Sequence, residues 1–82
     1  MTVEKVQRYL KNRYKFDKKL DARDLAEIFD VKYKNFKDAL KSTEKEKIRL
    51  HLATFIEEIL KYLNAADIDL GELLQAELKI NV

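Results

Sequence analysis

The sequence contains no cysteine, no proline and one glycine, Gly71, among its 82 residues. Without cysteine there is no disulfide framework and no thiolate ligand or nucleophile, which fits a reducing compartment, so we expect a cytoplasmic protein. Proline and glycine form most tight turns and hairpins, and their scarcity argues against an all-β sandwich or barrel. Long apolar runs are also lacking, so we expect no transmembrane segment, no signal peptide and no membrane partner.

Hydrophobic residues make up 46% of the chain and charged residues 39%. This composition is typical of an all-α fold, and the apolar share is too high for a disordered chain. A chain of this length permits one small domain, which buries only about 60–65% of its unfolded surface. We therefore expect a single all-α domain over residues 1–82 that gains stability by pairing with a second copy.

The net charge of +2 conceals an asymmetry along the chain. Residues 1–49 hold fifteen Lys/Arg and nine Asp/Glu, a net charge of +6, whereas residues 50–82 hold two Lys and six Asp/Glu, a net charge of −4. A basic half of this kind suits a polyanionic partner such as nucleic acid. The alternative is a set of lysines that only solvate the surface of a small domain.

Apolar spacing and capping residues predict three helices in the first half of the chain. Thr2 is positioned to cap a helix that runs to about Tyr14, and Asp21 is positioned to cap a second helix. A third helix is predicted over residues 34–41, after a short turn. These three segments form the predicted N-terminal module.

Two further helices are predicted in the second half. Thr43 and Glu46 match a capping box, so a long helix should begin there and end near Asn64. Its apolar residues are spaced alternately by four and three, as in a coiled coil. They are Ile48, Leu52, Phe55, Ile59, Tyr62 and Ala66. Asp69 should cap a short final helix.

Residues that carry chemistry are scarce. His51 is the only histidine and Ser42 the only serine, and neither has a predictable catalytic partner. Asp and Glu recur every third residue from 21 to 30, a spacing that could hold Mg²⁺, but capping explains two of these acids. Glu57 and Glu58 on the long helix are adjacent, not three or four residues apart. We therefore expect no catalytic residue, no metal site and no cofactor.

Residues 22–41 resemble the helix-turn-helix of DNA-binding proteins. Ala26 is small, as the close crossing of two helices requires, and Val31 stands where an apolar side chain would fill the corner. Asp30 occupies the turn position at which that family usually has glycine. The resemblance implies a tri-helical module over residues 1–42, with its last helix in the major groove.

This resemblance implies a small DNA-binding regulator that occupies duplex DNA and is not an enzyme. The residues expected to face the duplex are Lys32, Tyr33, Lys34, Asn35, Lys37 and Lys41, with Arg23, Lys18 and Lys19 as further phosphate contacts. Asn35 is the candidate for reading a base, because a carboxamide pairs with adenine through two hydrogen bonds.

A second resemblance covers the C-terminal third, where an Ile-Asp-Leu step at residues 68–70 precedes a leucine-rich segment. It is similar to the final helices of the MazG-like all-α nucleotide pyrophosphohydrolases, which bind Mg²⁺ through paired acids. One pair maps to Asp21 and Asp24, but the other falls on His51 and Thr54. The resemblance therefore implies a relative that has lost hydrolysis.

The long helix has more apolar positions than a small monomer covers, so we expect a homodimer formed by residues 43–82. The predicted interface residues are Leu52, Phe55, Ile59, Tyr62 and Leu74. The alternative to DNA binding is a helical protein–protein interaction module, such as a small regulator that blocks a partner protein.

Overall fold

The structure, a computed structural model, describes residues 2–15 and 21–80, and the regular secondary structure within them is entirely α-helical. The predicted all-α fold class is confirmed. The described residues form four helices: α1 Val3–Arg13, α2 Ala22–Ser42, α3 Lys45–Ala65 and α4 Leu70–Leu78.

Three helices begin at the residues that the sequence predicts. The side chains of Thr2, Asp21 and Asp69 each accept a hydrogen bond from the backbone N–H three positions later, at 3.2, 2.9 and 3.0 Å. Each bond satisfies one of the N–H groups that the first helical turn leaves without a partner. The predicted caps of α1, α2 and α4 are therefore confirmed.

The predicted turn at residues 30 and 31 is absent, because α2 continues through this point. Val31 lies in the middle of the helix with 57% of its surface exposed, and Ala26 is exposed as well. Residues 22–42 contain neither glycine nor proline, so nothing in this segment breaks the helical hydrogen bonds. The tri-helical module predicted over residues 1–42 is therefore wrong, and one long helix replaces two short ones.

The connection between α2 and α3 differs from the predicted capping box. Thr43 ends α2 in the left-handed region, with φ of 59°, and its hydroxyl donates to the carbonyl of Ser42 at 2.6 Å. The Ser42 hydroxyl oxygen accepts from the backbone N–H of Glu44 at 3.3 Å. Thr43 therefore closes one helix and does not open the next.

The chain divides into two compact units. Unit 1 comprises Met1–Lys19 and Leu60–Val82, and unit 2 comprises Leu20–Ile59. The core of unit 1 consists of the buried side chains of Leu10, Leu60 and Leu63. The apolar side chains packed against it are Val6, Tyr14, Ile68, Leu70 and Leu73.

A buried polar residue, Gln7, fastens α1 to the connection between α3 and α4 in unit 1. Its side-chain amide donates to the carbonyl of Ile68 at 2.7 Å, and its side-chain oxygen accepts from the backbone N–H of Leu70 at 3.1 Å. Asn64 donates to the backbone carbonyl of Gln7 at 3.0 Å. The two bonds of the Gln7 side chain satisfy partly buried backbone groups just before and at the start of α4 that would otherwise be unpaired.

Unit 2 is a helical hairpin made by α2 and the part of α3 before residue 60. The two-residue connection 43–44 reverses the chain direction, so the helices run antiparallel. The ring of Phe55 lies 6.4 Å from that of Phe36 and 5.8 Å from that of Tyr33. Ala39 is the one buried residue among residues 21–59. The other apolar side chains of the hairpin are half-buried or exposed.

Candidate functional site

The exposed apolar residues of unit 2 align on one side of the hairpin. Tyr33 and Leu40 stand three residues before and four residues after Phe36 on α2. Leu52 and Ile59 stand at the same two offsets from Phe55 on α3. Residues three before and four after a given residue lie next to it on the same side of a helix. Because Phe36 and Phe55 contact each other and the helices are antiparallel, these four side chains lie on the same side of the hairpin.

Two small residues and one further large residue extend this surface. Ala22 and Ala26 lie on the same side of α2 near the open end of the hairpin, and Ile56 lies beside Leu52 and Ile59. We call the set the hairpin face. It consists of Ala22, Ala26, Tyr33, Leu40, Leu52, Ile56 and Ile59.

The large side chains of the hairpin face remain accessible to solvent. The exposed fraction is 49% for Tyr33, 48% for Leu40 and 45% for Ile56, and the other two large residues are each 38% exposed. Soluble monomers rarely expose a contiguous apolar surface of this kind without a partner. By contrast, Leu50 is 60% exposed but lies alone on the opposite side of α3.

No protein-family model matches the chain, and comparisons with curated proteins and with solved structures return no significant match.

The predicted DNA contacts on α2 share that helix with acids. Residues 21–49 hold eight Lys/Arg and seven Asp/Glu, so this segment is nearly neutral. On the side of α2 that faces away from α3, the predicted cations are interspersed with acids. This side carries Arg23, Glu27, Asp30, Lys34, Lys37, Asp38 and Lys41, all exposed.

The other predicted DNA contacts lie in different surroundings. Lys32 is half-buried on the side of α2 that carries Phe36. Tyr33 belongs to the hairpin face, with the Lys37 ammonium 5.1 Å from its ring centre. Asn35 is exposed, and the predicted contacts Lys18 and Lys19 lie outside the described residues.

Most of the basic excess of the first half belongs to residues 1–20, which hold seven Lys/Arg and two Asp/Glu. On α1 and just after it, the described cations are all exposed. They are Lys5, Arg8, Lys11, Arg13 and Lys15. The Arg8 guanidinium lies 3.5 Å from the Glu4 carboxylate in an exposed ion pair. Glu4 offsets only one of these cations, so the helix stays strongly positive.

The predicted dimer residues fall in both units. Leu52, Phe55 and Ile59 belong to unit 2, where Phe55 is half-buried within the hairpin. Tyr62 and Leu74 belong to unit 1, where Tyr62 is exposed and Leu74 is half-buried. Leu52 and Ile59 are thus the members of this set that lie on the hairpin face.

The acids implied by the pyrophosphohydrolase resemblance are not assembled into a site. Asp21 caps α2, and the Thr54 hydroxyl donates to the carbonyl of His51 at 3.1 Å. Within residues 2–15 and 21–80, no three Asp, Glu or His side chains come close enough together to hold a metal ion. No described helix is both long and apolar enough to cross a bilayer.

An open cleft of about 380 Å³ lies beside α1 in unit 1. Its lining mixes cations with acids, for example Arg8 and Lys11 with Asp67 and Glu72. The side chain of Gln7 also lines the cleft, but it already makes hydrogen bonds to the backbone of Ile68 and Leu70. The hairpin face is therefore the strongest candidate functional surface.

Proposed function

We propose that this chain is a helical protein–protein interaction module that binds through the hairpin face. The observation that carries the proposal is the aligned, accessible apolar surface on a hairpin whose one buried residue is Ala39. Covering the exposed part of each large side chain is worth about 1 kcal/mol. Five such side chains supply several kcal/mol, which offsets part of the entropic cost of association.

The proposal predicts that the apolar dye ANS binds at the hairpin face, because ANS fluoresces on accessible apolar surface. In dilute protein, Ile56→Asp should lower ANS fluorescence by about half or more. Leu50→Asp should leave it nearly unchanged, although Leu50 is the more exposed of the two. Fluorescence titration measures the effect, and circular dichroism should show the same helix content in both variants.

The two variants introduce the same charge and remove a side chain of the same size. Equal losses of fluorescence would mean that the dye responds to scattered apolar residues. The hairpin face would then not act as a continuous binding surface, and the proposal would fail.

A second candidate function is the DNA binding predicted from the sequence, which the charge of α1 favours. Residues 2–15 carry five cations and one acid, and Tyr9 is exposed among them. Cations of this density neutralise phosphates and release counterions, which gives sequence-independent affinity for duplex DNA. The contacts would then come from α1 and not from the nearly neutral α2.

Duplex-binding measurements distinguish the two helices. Lys5→Glu with Lys11→Glu should weaken DNA binding about tenfold or more and reduce the salt dependence by about one unit for each lost phosphate contact. Lys34→Glu with Lys37→Glu should weaken binding less. Fluorescence anisotropy across a salt series measures both, and equal affinity of all three proteins would remove DNA binding through either helix.

A further inference from the structure

The hairpin carries opposite charges at its two ends. The open end, residues 21–31 and 50–59, holds six Asp/Glu and one Arg, a net charge of −5. The turn end, residues 32–49, holds seven Lys/Arg and three Asp/Glu, a net charge of +4. A second hairpin placed in the opposite direction would set each basic end against an acidic end.

The hairpin face also changes in side-chain size between these ends. At the open end α2 contributes Ala22 and Ala26, and at the turn end it contributes Leu40. Ala26 and Leu40 are each seven residues from Tyr33, on opposite sides of it. A two-fold axis beside Tyr33 would therefore place the small residue of one copy under the large residue of the other.

We infer that the partner of the hairpin face is a second copy of this chain, bound antiparallel about a two-fold axis. The inference rests on the proposed function and specifies its partner. In this homodimer, α2 packs on its counterpart and α3 on its counterpart, which forms a four-helix bundle. Tyr33 and Ile56, both near the middle of the hairpin, lie close to the axis.

The charged rim of the hairpin face fits the same arrangement. On this side of α2 the open half carries Glu27 and Asp30 with Arg23, a net charge of −1, and the turn half carries Lys34, Lys37 and Lys41 with Asp38, a net charge of +2. An antiparallel copy sets the acids of each α2 beside the lysines of the other. A parallel copy would instead set lysines against lysines and acids against acids, so the charges select one direction.

A charge exchange tests the arrangement. The acid variant Lys37→Glu with Lys41→Glu and the basic variant Glu27→Lys with Asp30→Lys should each raise the homodimer dissociation constant about tenfold or more, since like charges then meet. An equimolar mixture of the two variants should form a heterodimer that is at least as tight as the wild-type homodimer. Sedimentation velocity at low and at moderate salt measures each species.

The control for altered net charge is Lys5→Glu with Lys11→Glu, which should dimerise as the wild type does. A lower homodimer dissociation constant in the acid variant would overturn the antiparallel arrangement in favour of a parallel one. The antiparallel arrangement would also be overturned if the two variants did not form a heterodimer when mixed. A wild-type chain that stays monomeric at about 100 μM would overturn the homodimer. If ANS still distinguished Ile56→Asp from Leu50→Asp in that case, the proposed function would stand with a different protein as partner.

Discussion

Replacing Val31 by proline is expected to lower the free energy of unfolding by about 3 kcal/mol or more. The structure places Val31 in the interior of α2, where its N–H donates to a carbonyl four residues earlier. Proline removes this donor, and its ring clashes with the same carbonyl. Urea denaturation followed by circular dichroism measures the loss.

The alanine variant is the matched control for this prediction. Val31 is largely exposed, so Val31→Ala removes little buried surface and introduces a residue with higher helix propensity. Its free energy of unfolding should stay within about 0.5 kcal/mol of the wild type. If proline cost no more than alanine, the chain would turn at residue 31, as the helix-turn-helix resemblance requires.

Replacing Gln7 by leucine is expected to destabilise unit 1 by about 2–4 kcal/mol. The variant keeps most of the side-chain volume, but it leaves the carbonyl of Ile68 and the N–H of Leu70 without partners. Each buried polar group left unpaired costs about 1–3 kcal/mol. Chemical denaturation gives the free energy, and hydrogen exchange at Leu70 should accelerate because its amide loses its acceptor.

Two further variants test whether the loss of stability comes from the hydrogen bonds of Gln7. Gln75→Leu on the exposed side of α4 should change the free energy of unfolding by less than about 0.5 kcal/mol. Gln7→Glu keeps an acceptor for Leu70 but loses the donor to Ile68, so it should be destabilising as well. A Gln7→Leu variant as stable as the wild type would show that these bonds do not hold α1 in place.

Local signals predicted the starts of α1, α2 and α4 correctly, because a capping side chain acts on a backbone N–H only three residues away, whereas the capping box predicted at Thr43 was wrong. The same local reasoning failed at residues 30 and 31. Leu25, Phe29 and Phe36 continue one apolar stripe across the supposed turn, and no glycine or proline interrupts it. A small residue and an apolar residue at suitable spacing suit a helix crossing, but a continuous helix accommodates them equally well.

The candidate site was only partly predictable, since it depends on which apolar residues stay uncovered. The spacing of α3 identified Leu52 and Ile59, but it could not show that Leu60 and Leu63 would be buried by α1 and α4 instead. Gln7 was missed altogether. The one signal for Gln7 is its position three residues before Leu10, on the apolar side of α1. This position indicates that Gln7 is buried, but it does not identify its hydrogen-bond partners.

The bonds of Gln7 and Asn64 join parts of the chain that lie 57 to 63 residues apart, whereas the hairpin pairs neighbouring helices. Closing long loops is slow relative to closing short ones, so the hairpin should form before unit 1 does. During synthesis α1 leaves the ribosome before the segments that complete its core. Until residues 60–80 follow, the nascent chain therefore carries a formed hairpin, while α1 still lacks the segments that complete its core.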